Sequence, residues 1–93
     1  MLEALSIPQV LNMLTSEQVR AARALLRLEQ KDLAERSGVS LPSIKRLELK
    51  PGALAAQART IDAIRTALES AGVEFIAENG GGAGVRLRKP RLE

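Results

Sequence analysis

Apolar residues recur at helical spacing along most of the chain. Thr15 and Gln18 form a capping box, in which each side chain accepts a hydrogen bond from the other residue's backbone N–H. The apolar positions that follow lie three or four residues apart: Val19, Ala22, Leu25, Leu26 and Leu28. This pattern predicts a first helix over about residues 15–28, with Arg20 and Arg27 solvated on its outer side.

Two shorter helices are predicted next, close together in sequence. The first begins near Gln30 and ends at Gly38, because glycine readily adopts the left-handed conformation that closes a helix. Ser40 is a suitable N-cap for the other, and Pro42 lies in its first turn, where the missing N–H costs nothing. That helix ends at Lys50-Pro51-Gly52.

A fourth helix and a hairpin complete the pattern. Residues 52–59 fit either a loop or an extra helical turn, and a helix follows from Thr60 to Gly72. Apolar and polar residues then alternate over 73–76 and 85–88, with a glycine-rich turn between, which predicts a β-hairpin. An isolated two-stranded hairpin is only marginally stable. We therefore expect Phe75, the single aromatic residue, to anchor it to the core.

The composition excludes several classes of function. The chain has 93 residues, enough for one small domain, and Ala and Leu supply 29 of them. Without cysteine there is no disulfide, zinc finger or thiol nucleophile, and without histidine no Ser–His pair or imidazole ligand. Acidic residues are not clustered in the sequence. We expect no enzyme, no catalytic residue, no metal and no cofactor.

The net charge of +3 is unevenly distributed. Residues 20–59 carry nine basic and four acidic side chains, a local charge of +5, and residues 80–93 carry +3. The segments 1–19 and 60–79 are acidic, at −2 and −3. A basic middle segment suits a polyanionic partner, although a solvated helical surface has the same composition.

The first 14 residues are apolar but do not fit a targeting segment. Glu3, Pro8 and Asn12 interrupt them, no basic residue precedes them, and the run is too short to span a bilayer. We expect a cytoplasmic protein without a membrane partner. The leader could be a short helix, a cover for the core or a dimer contact, or Met13 could be the natural start.

Residues 30–49 satisfy the physical requirements of a helix-turn-helix. Two short helices joined by so few residues must cross at a steep angle, which needs the small Ala34 at the crossing and Gly38 in the turn. An apolar wedge then fixes the second helix: Val39, Ile44 and Leu47. A helix held this way projects far enough to enter a DNA major groove.

The same stretch resembles a known family. The pattern Gln30, Leu33-Ala34, Gly38-Val39-Ser40, Ser43-Ile44 and Leu47-Glu48 is similar to the helix-turn-helix of XRE-type, phage-repressor-like transcriptional regulators. The resemblance covers about residues 16–71, and the C-terminal segment is similar to the tail of many small bacterial members. It implies a mainly α, four- to five-helix, lambda-repressor-like domain at 15–71, with a hairpin at 72–89 and a tail at 90–93.

That resemblance implies a homodimeric, repressor-like protein of the bacterial nucleoid that binds double-stranded DNA, with residues 40–49 as recognition helix. Gln30 matches a position that touches phosphate and orders that helix. The candidate DNA-binding residues are Gln30, Ser40, Leu41, Pro42, Ser43, Lys45, Arg46 and Lys50. Arg46 has the fork geometry for guanine, and Lys45 suits phosphate. The family pattern also pairs Arg23 with Glu48, which would tie the recognition helix to the scaffold.

One departure keeps a second function open. Many relatives carry polar side chains where this chain has Leu41 and Pro42, and neither residue can donate a hydrogen bond to a base from its side chain. The alternative is a protein-interaction module, an anti-activator or antitoxin-like adaptor, with a hairpin edge that takes another strand. The basic tail residues lie on DNA backbone or stay solvated: Arg86, Arg88, Lys89 and Arg91.

Overall fold

A computed structural model describes residues 13–89 of the chain, and the leader residues 1–12 and the tail 90–93 lie outside them. The four helices of this part are α1 (Ser16–Leu26), α2 (Gln30–Ser37), α3 (Leu41–Leu49) and α4 (Ala58–Ala71). Two antiparallel strands follow, β1 (Val73–Ile76) and β2 (Gly84–Leu87). The predicted mainly helical architecture with a C-terminal hairpin is confirmed.

Helix α1 begins at the capping box. The Gln18 N–H donates to Thr15 Oγ1 at 3.1 Å, and the Thr15 N–H donates to Gln18 Oε1 at 3.0 Å. The helix ends at Leu26, earlier than the predicted residue 28, because Arg27 adopts a left-handed φ of 59°. Leu25, expected to face inward, is 41% exposed.

The connection between α2 and α3 has the geometry that its sequence predicts. Gly38 ends α2 with φ 77°, and a Cβ there would meet nothing within 4 Å, so the glycine is needed for its backbone conformation alone. Ser40 then caps α3, with Pro42 in the first turn. Residues 38–40 are thus the whole turn.

The ambiguous segment 52–59 is divided between a loop and a helix. Leu54 is buried and its N–H donates to Leu14 O at 3.0 Å, which holds this loop against the start of α1. Helix α4 begins at Ala58, two residues before the predicted Thr60. Strand β1 matches its prediction, whereas β2 begins and ends one residue earlier than the predicted 85–88.

One aliphatic core joins these elements. Its fully buried members come from every helix and from β1: Val19, Ala22, Leu33, Ile44, Ile64, Leu68 and Val73. Phe75 packs against this cluster, as predicted, and the Arg65 guanidinium lies 5.7 Å from its ring centroid. The hairpin packs on α1 and α4, while α3 packs on α1 and α2. Helix α1 therefore connects α3 to the hairpin.

Candidate nucleic-acid interface

Helix α3 has one buried side and one exposed side. Ile44, Leu47 and Glu48 are buried against α1 and α2. The exposed side combines basic and apolar side chains: Pro42, Lys45, Arg46 and Leu49. Leu49 is 82% exposed, the largest exposure among the exposed large apolar side chains of residues 13–89. The exposed face is thus positively charged without being uniformly polar.

The buried side of α3 is tied to α1 by a bidentate ion pair. Arg23 Nε and Nη2 donate to the two carboxylate oxygens of Glu48 at 2.8 and 2.7 Å. Only 4% of the Glu48 side chain and 19% of the Arg23 side chain are exposed. Hydrogen bonding to Glu48 raises the pKa of the Arg23 guanidinium and so further favours its charged form. The predicted pair forms.

Two further hydrogen bonds complete this network. Arg23 Nη1 donates to Leu28 O at 3.0 Å, beyond the end of α1. Gln30 Nε2 donates to Glu48 Oε1 at 3.0 Å. The Glu48 carboxylate thereby joins the first residue of α2 to the last turn of α3. The resemblance implied that Gln30 orders the recognition helix but did not identify this bond.

Serine hydroxyls organise the start of α3. The Ser43 N–H donates to Ser40 Oγ at 3.3 Å, and Ser40 Oγ–H donates to Ser43 Oγ at 2.9 Å. Ser40 is exposed and Ser43 is half-buried. Because each serine hydroxyl oxygen has a second lone pair, both can still accept a hydrogen bond from a ligand.

A shallow groove joins the start of α2 to one side of α3. Its walls come from five residues, three of them predicted site residues: Glu29, Gln30, Lys31, Leu41 and Lys45. Leu41 is half-buried in this wall, so only part of its side chain faces solvent. Lys31, which no sequence pattern singled out, adds a positive charge beside Lys45.

A second groove lies on the other side of α3. Ser40, Ser43 and Arg46 face the start of α4 across it, where Gln57 and Thr60 line the opposite wall. The Gln57 side chain makes no capping hydrogen bond to its own helix. Sequence reasoning missed Gln57 because glutamine is not a typical N-cap residue and the segment around it fits a loop as well as a helix.

All but one of the predicted site residues therefore lie on one surface. Seven of them line the two grooves or the ridge of α3 between them: Gln30, Ser40, Leu41, Pro42, Ser43, Lys45 and Arg46. Lys50 lies past the end of α3, at its C-cap and away from the serine end. The surface offers hydrogen-bond donors, positive charge and small apolar patches along one helix.

Neither a metal-holding cluster nor a membrane-spanning helix is found in the described part of the chain. Residues 13–89 contain no group of three acidic side chains placed to hold a metal ion. Among the same residues, no helix has the length and apolar character to cross a membrane. Comparison with protein families and with curated proteins gives no significant match to this chain.

Proposed function

We propose that the protein is a sequence-specific DNA-binding transcriptional regulator of the XRE type, acting in the bacterial nucleoid as a homodimeric repressor-like protein. The observation that carries the proposal is the contrast between the two sides of α3. Its buried side is fixed by apolar packing and by the Arg23–Glu48 pair, while its outer side presents Lys45 and Arg46. A rigid, basic, exposed helix is what insertion into a major groove requires.

Each exposed side chain has a suitable chemical target on DNA. The Arg46 fork matches the O6 and N7 acceptors of guanine, and Lys45 and Lys31 match phosphate oxygens. Leu41 and Pro42 can pack on thymine methyl groups, so the departure from polar residues changes the base preference rather than abolishing binding. The Gln30 side-chain NH₂ has two N–H donors, and since one is bound to Glu48, Gln30 contacts phosphate only through the other.

The size of α3 favours a dimer. Nine residues of helix span about 13 Å, which covers only a few base pairs. Two copies on half-sites about one helical turn apart read a longer sequence and double the phosphate contacts.

Selection from random-sequence DNA tests this function and identifies the operator in the same experiment. Wild-type protein is expected to enrich a two-fold symmetric motif, and Arg46→Ala is expected to lose preference at one base pair of each half-site. Arg20→Ala removes the same charge from the solvated side of α1, where Arg20 lies 3.9 Å from Glu17, and serves as control. Recovery of unenriched DNA by the wild-type protein would exclude sequence-specific binding.

The exposed apolar residues favour a second candidate, a protein-interaction module. Leu49 is 82% exposed and lies on the same outer side as Pro42, so an apolar partner surface could pack there. Under this alternative, Leu41→Glu or Leu49→Glu releases a co-purifying protein, whereas Lys45→Ala does not. Under the DNA-binding proposal, Lys45→Ala weakens binding to all DNA sequences alike.

A further inference from the structure

The hairpin has an open edge at β2. Arg88 N–H donates to Gly72 O at 2.9 Å, which identifies these two residues as a hydrogen-bonded pair of the antiparallel ladder. Along β2 from that pair, residues whose N–H and C=O point toward β1 alternate with residues whose N–H and C=O point away from it. The N–H and C=O groups of Val85 and Leu87 therefore point away from β1, and no hydrogen bond to them occurs within residues 13–89.

The arginines in β2 and directly after it are turned away from this edge. Charged side chains often protect an edge strand from pairing. Here Arg86 Nη2 donates to Glu74 Oε2 at 2.9 Å, and Arg88 Nε donates to Val73 O at 3.2 Å. Because Glu74 and Val73 belong to β1, both arginines reach back across the hairpin. The outer edge of β2 is left without their protection.

Apolar surface adjoins one end of the edge. Helix α1 and β2 lie side by side and run in the same direction, because Gln18 binds Gly84 at the start of β2 while Leu26 lies 3.6 Å from the Cβ position of Gly72 near its end. Two exposed leucines therefore lie at the same end: Leu25, 41% exposed, and Leu87, 51% exposed. Covering such residues with a second surface removes apolar area from water, which lowers the free energy of the paired state.

We propose that the β2 edge pairs with the β2 edge of a second copy of this chain, antiparallel around a two-fold axis. The edge is its own complement, because Val85 and Leu87, whose backbone groups point outward, flank Arg86 symmetrically. The two Arg86 side chains then face each other at the axis, each paired with the Glu74 of its own hairpin, which offsets their repulsion. When Val85 of one copy lies opposite Leu87 of the other, every outward N–H and C=O of both residues has a partner. The two hairpins become one four-stranded sheet, which is more stable than an isolated pair of strands.

This pairing leaves the candidate DNA surface free. The hairpin packs on α1 and α4, and α3 packs on α1 and α2, so neither element has to move. The inference goes beyond the proposed function and does not depend on it, since association is measured in the absence of DNA. A protein that fails to bind DNA could still dimerise through β2.

Sedimentation of the full chain over a wide concentration range tests the proposal. The wild-type protein is expected to be dimeric, and Leu87→Pro is expected to raise the dimer dissociation constant at least about tenfold. Among backbone groups, proline at this position removes one N–H, which points away from β1. The hydrogen bonds between β1 and β2 are therefore kept. Leu25→Glu is expected to act in the same direction by placing a charge beside the covered leucines.

Control measurements separate this edge from other surfaces. Leu49→Glu changes an equally apolar, 82% exposed residue on α3 and is expected to leave the dimer intact. Amide exchange at Val85 and Leu87 is expected to slow only at concentrations where the dimer forms. A monomeric wild-type protein, a Leu87→Pro protein that dimerises as tightly as wild type, or protection of these amides only after a different protein is added would each overturn the proposal.

Discussion

The side-chain amide of Gln18, in the first turn of α1, donates to the carbonyl oxygen of Gly84 at 2.9 Å, across 66 positions of sequence. The same Nε2 lies 3.4 Å from Ile76 O, at the facing end of β1. The Oε1 of this side chain meanwhile accepts the Thr15 N–H of the capping box. One glutamine therefore caps a helix and holds the turn end of the hairpin.

These two roles of Gln18 can be separated by substitution. Gln18→Glu keeps an acceptor for Thr15 but faces two carbonyl oxygens with a carboxylate, so we expect faster amide exchange in the hairpin with α1 unchanged. Gln18→Ala removes both roles and is expected to lower the free energy of unfolding by about 1–3 kcal/mol. Equal exchange rates in the Gln18→Glu and wild-type hairpins would contradict the second role.

The Arg23–Glu48 pair is expected to contribute to both stability and DNA binding. Glu48→Ala leaves a guanidinium that is only 19% exposed without its carboxylate, so we expect the free energy of unfolding to fall by about 2–4 kcal/mol. DNA affinity should fall as well, because α3 loses its tie to α1. Chemical denaturation and DNA titration at a temperature where the variant stays folded measure the two effects. The exposed Glu35→Ala on α2 is the control, and an unchanged Glu48→Ala protein would show that the pair does not matter.

The stability should decrease in acid partly through Glu17. Its own backbone N–H and that of Gly52, the latter at 3.1 Å from Oε1, lower the pKa of this carboxyl in the folded state. A lowered folded-state pKa contributes stability that is present above the unfolded-state pKa and is lost as the pH falls through the folded-state pKa. Glu17→Gln should therefore destabilise the protein at neutral pH and lose that effect in acid. A Glu17→Gln protein as stable as wild type at neutral pH, or one whose deficit is the same in acid, would contradict this role.

A buried hydroxyl offers a stabilising substitution. Ser16 is fully buried, and its Oγ has no hydrogen-bond partner within the described residues. Burying an unsatisfied hydroxyl costs about 1–3 kcal/mol, so Ser16→Ala is expected to raise the free energy of unfolding by about 1 kcal/mol. Ser40→Ala is the contrasting case, because it removes the cap of α3 and should destabilise by a similar amount. Thermal melting of both variants distinguishes them, and a destabilised Ser16→Ala protein would mean that the hydroxyl is satisfied in solution.

Local signals in the sequence predict much of this fold. The capping box at Thr15, the glycine at Gly38 and the single aromatic Phe75 each have one dominant physical role, and each is found in that role. These features depend on neighbouring residues or on the scarcity of alternatives. The face of α3 that carries Lys45 and Arg46 follows from its helical period for the same reason.

Features without a marker in the local sequence were not predictable. Arg27 adopts a left-handed conformation without a glycine, and the Leu28 N–H closes the end of α1 by donating to Arg23 O at 2.9 Å. Gln57 opens α4 without a capping side chain. The bond from Gln18 to Gly84 joins distant parts of the chain, and no sequence pattern marks such a pair.

The salt dependence of DNA binding tests the central claim most directly. The wild-type protein is titrated with the selected sequence and with a scrambled duplex over a series of salt concentrations, together with Arg46→Ala and the Arg20→Ala control. We predict tighter binding to the selected sequence, a steep fall in affinity with salt for both duplexes, and a reduced preference for the selected sequence only in Arg46→Ala. Equal affinity for the two duplexes, or affinity that does not change with salt, would contradict the assignment of α3 as a DNA-reading helix.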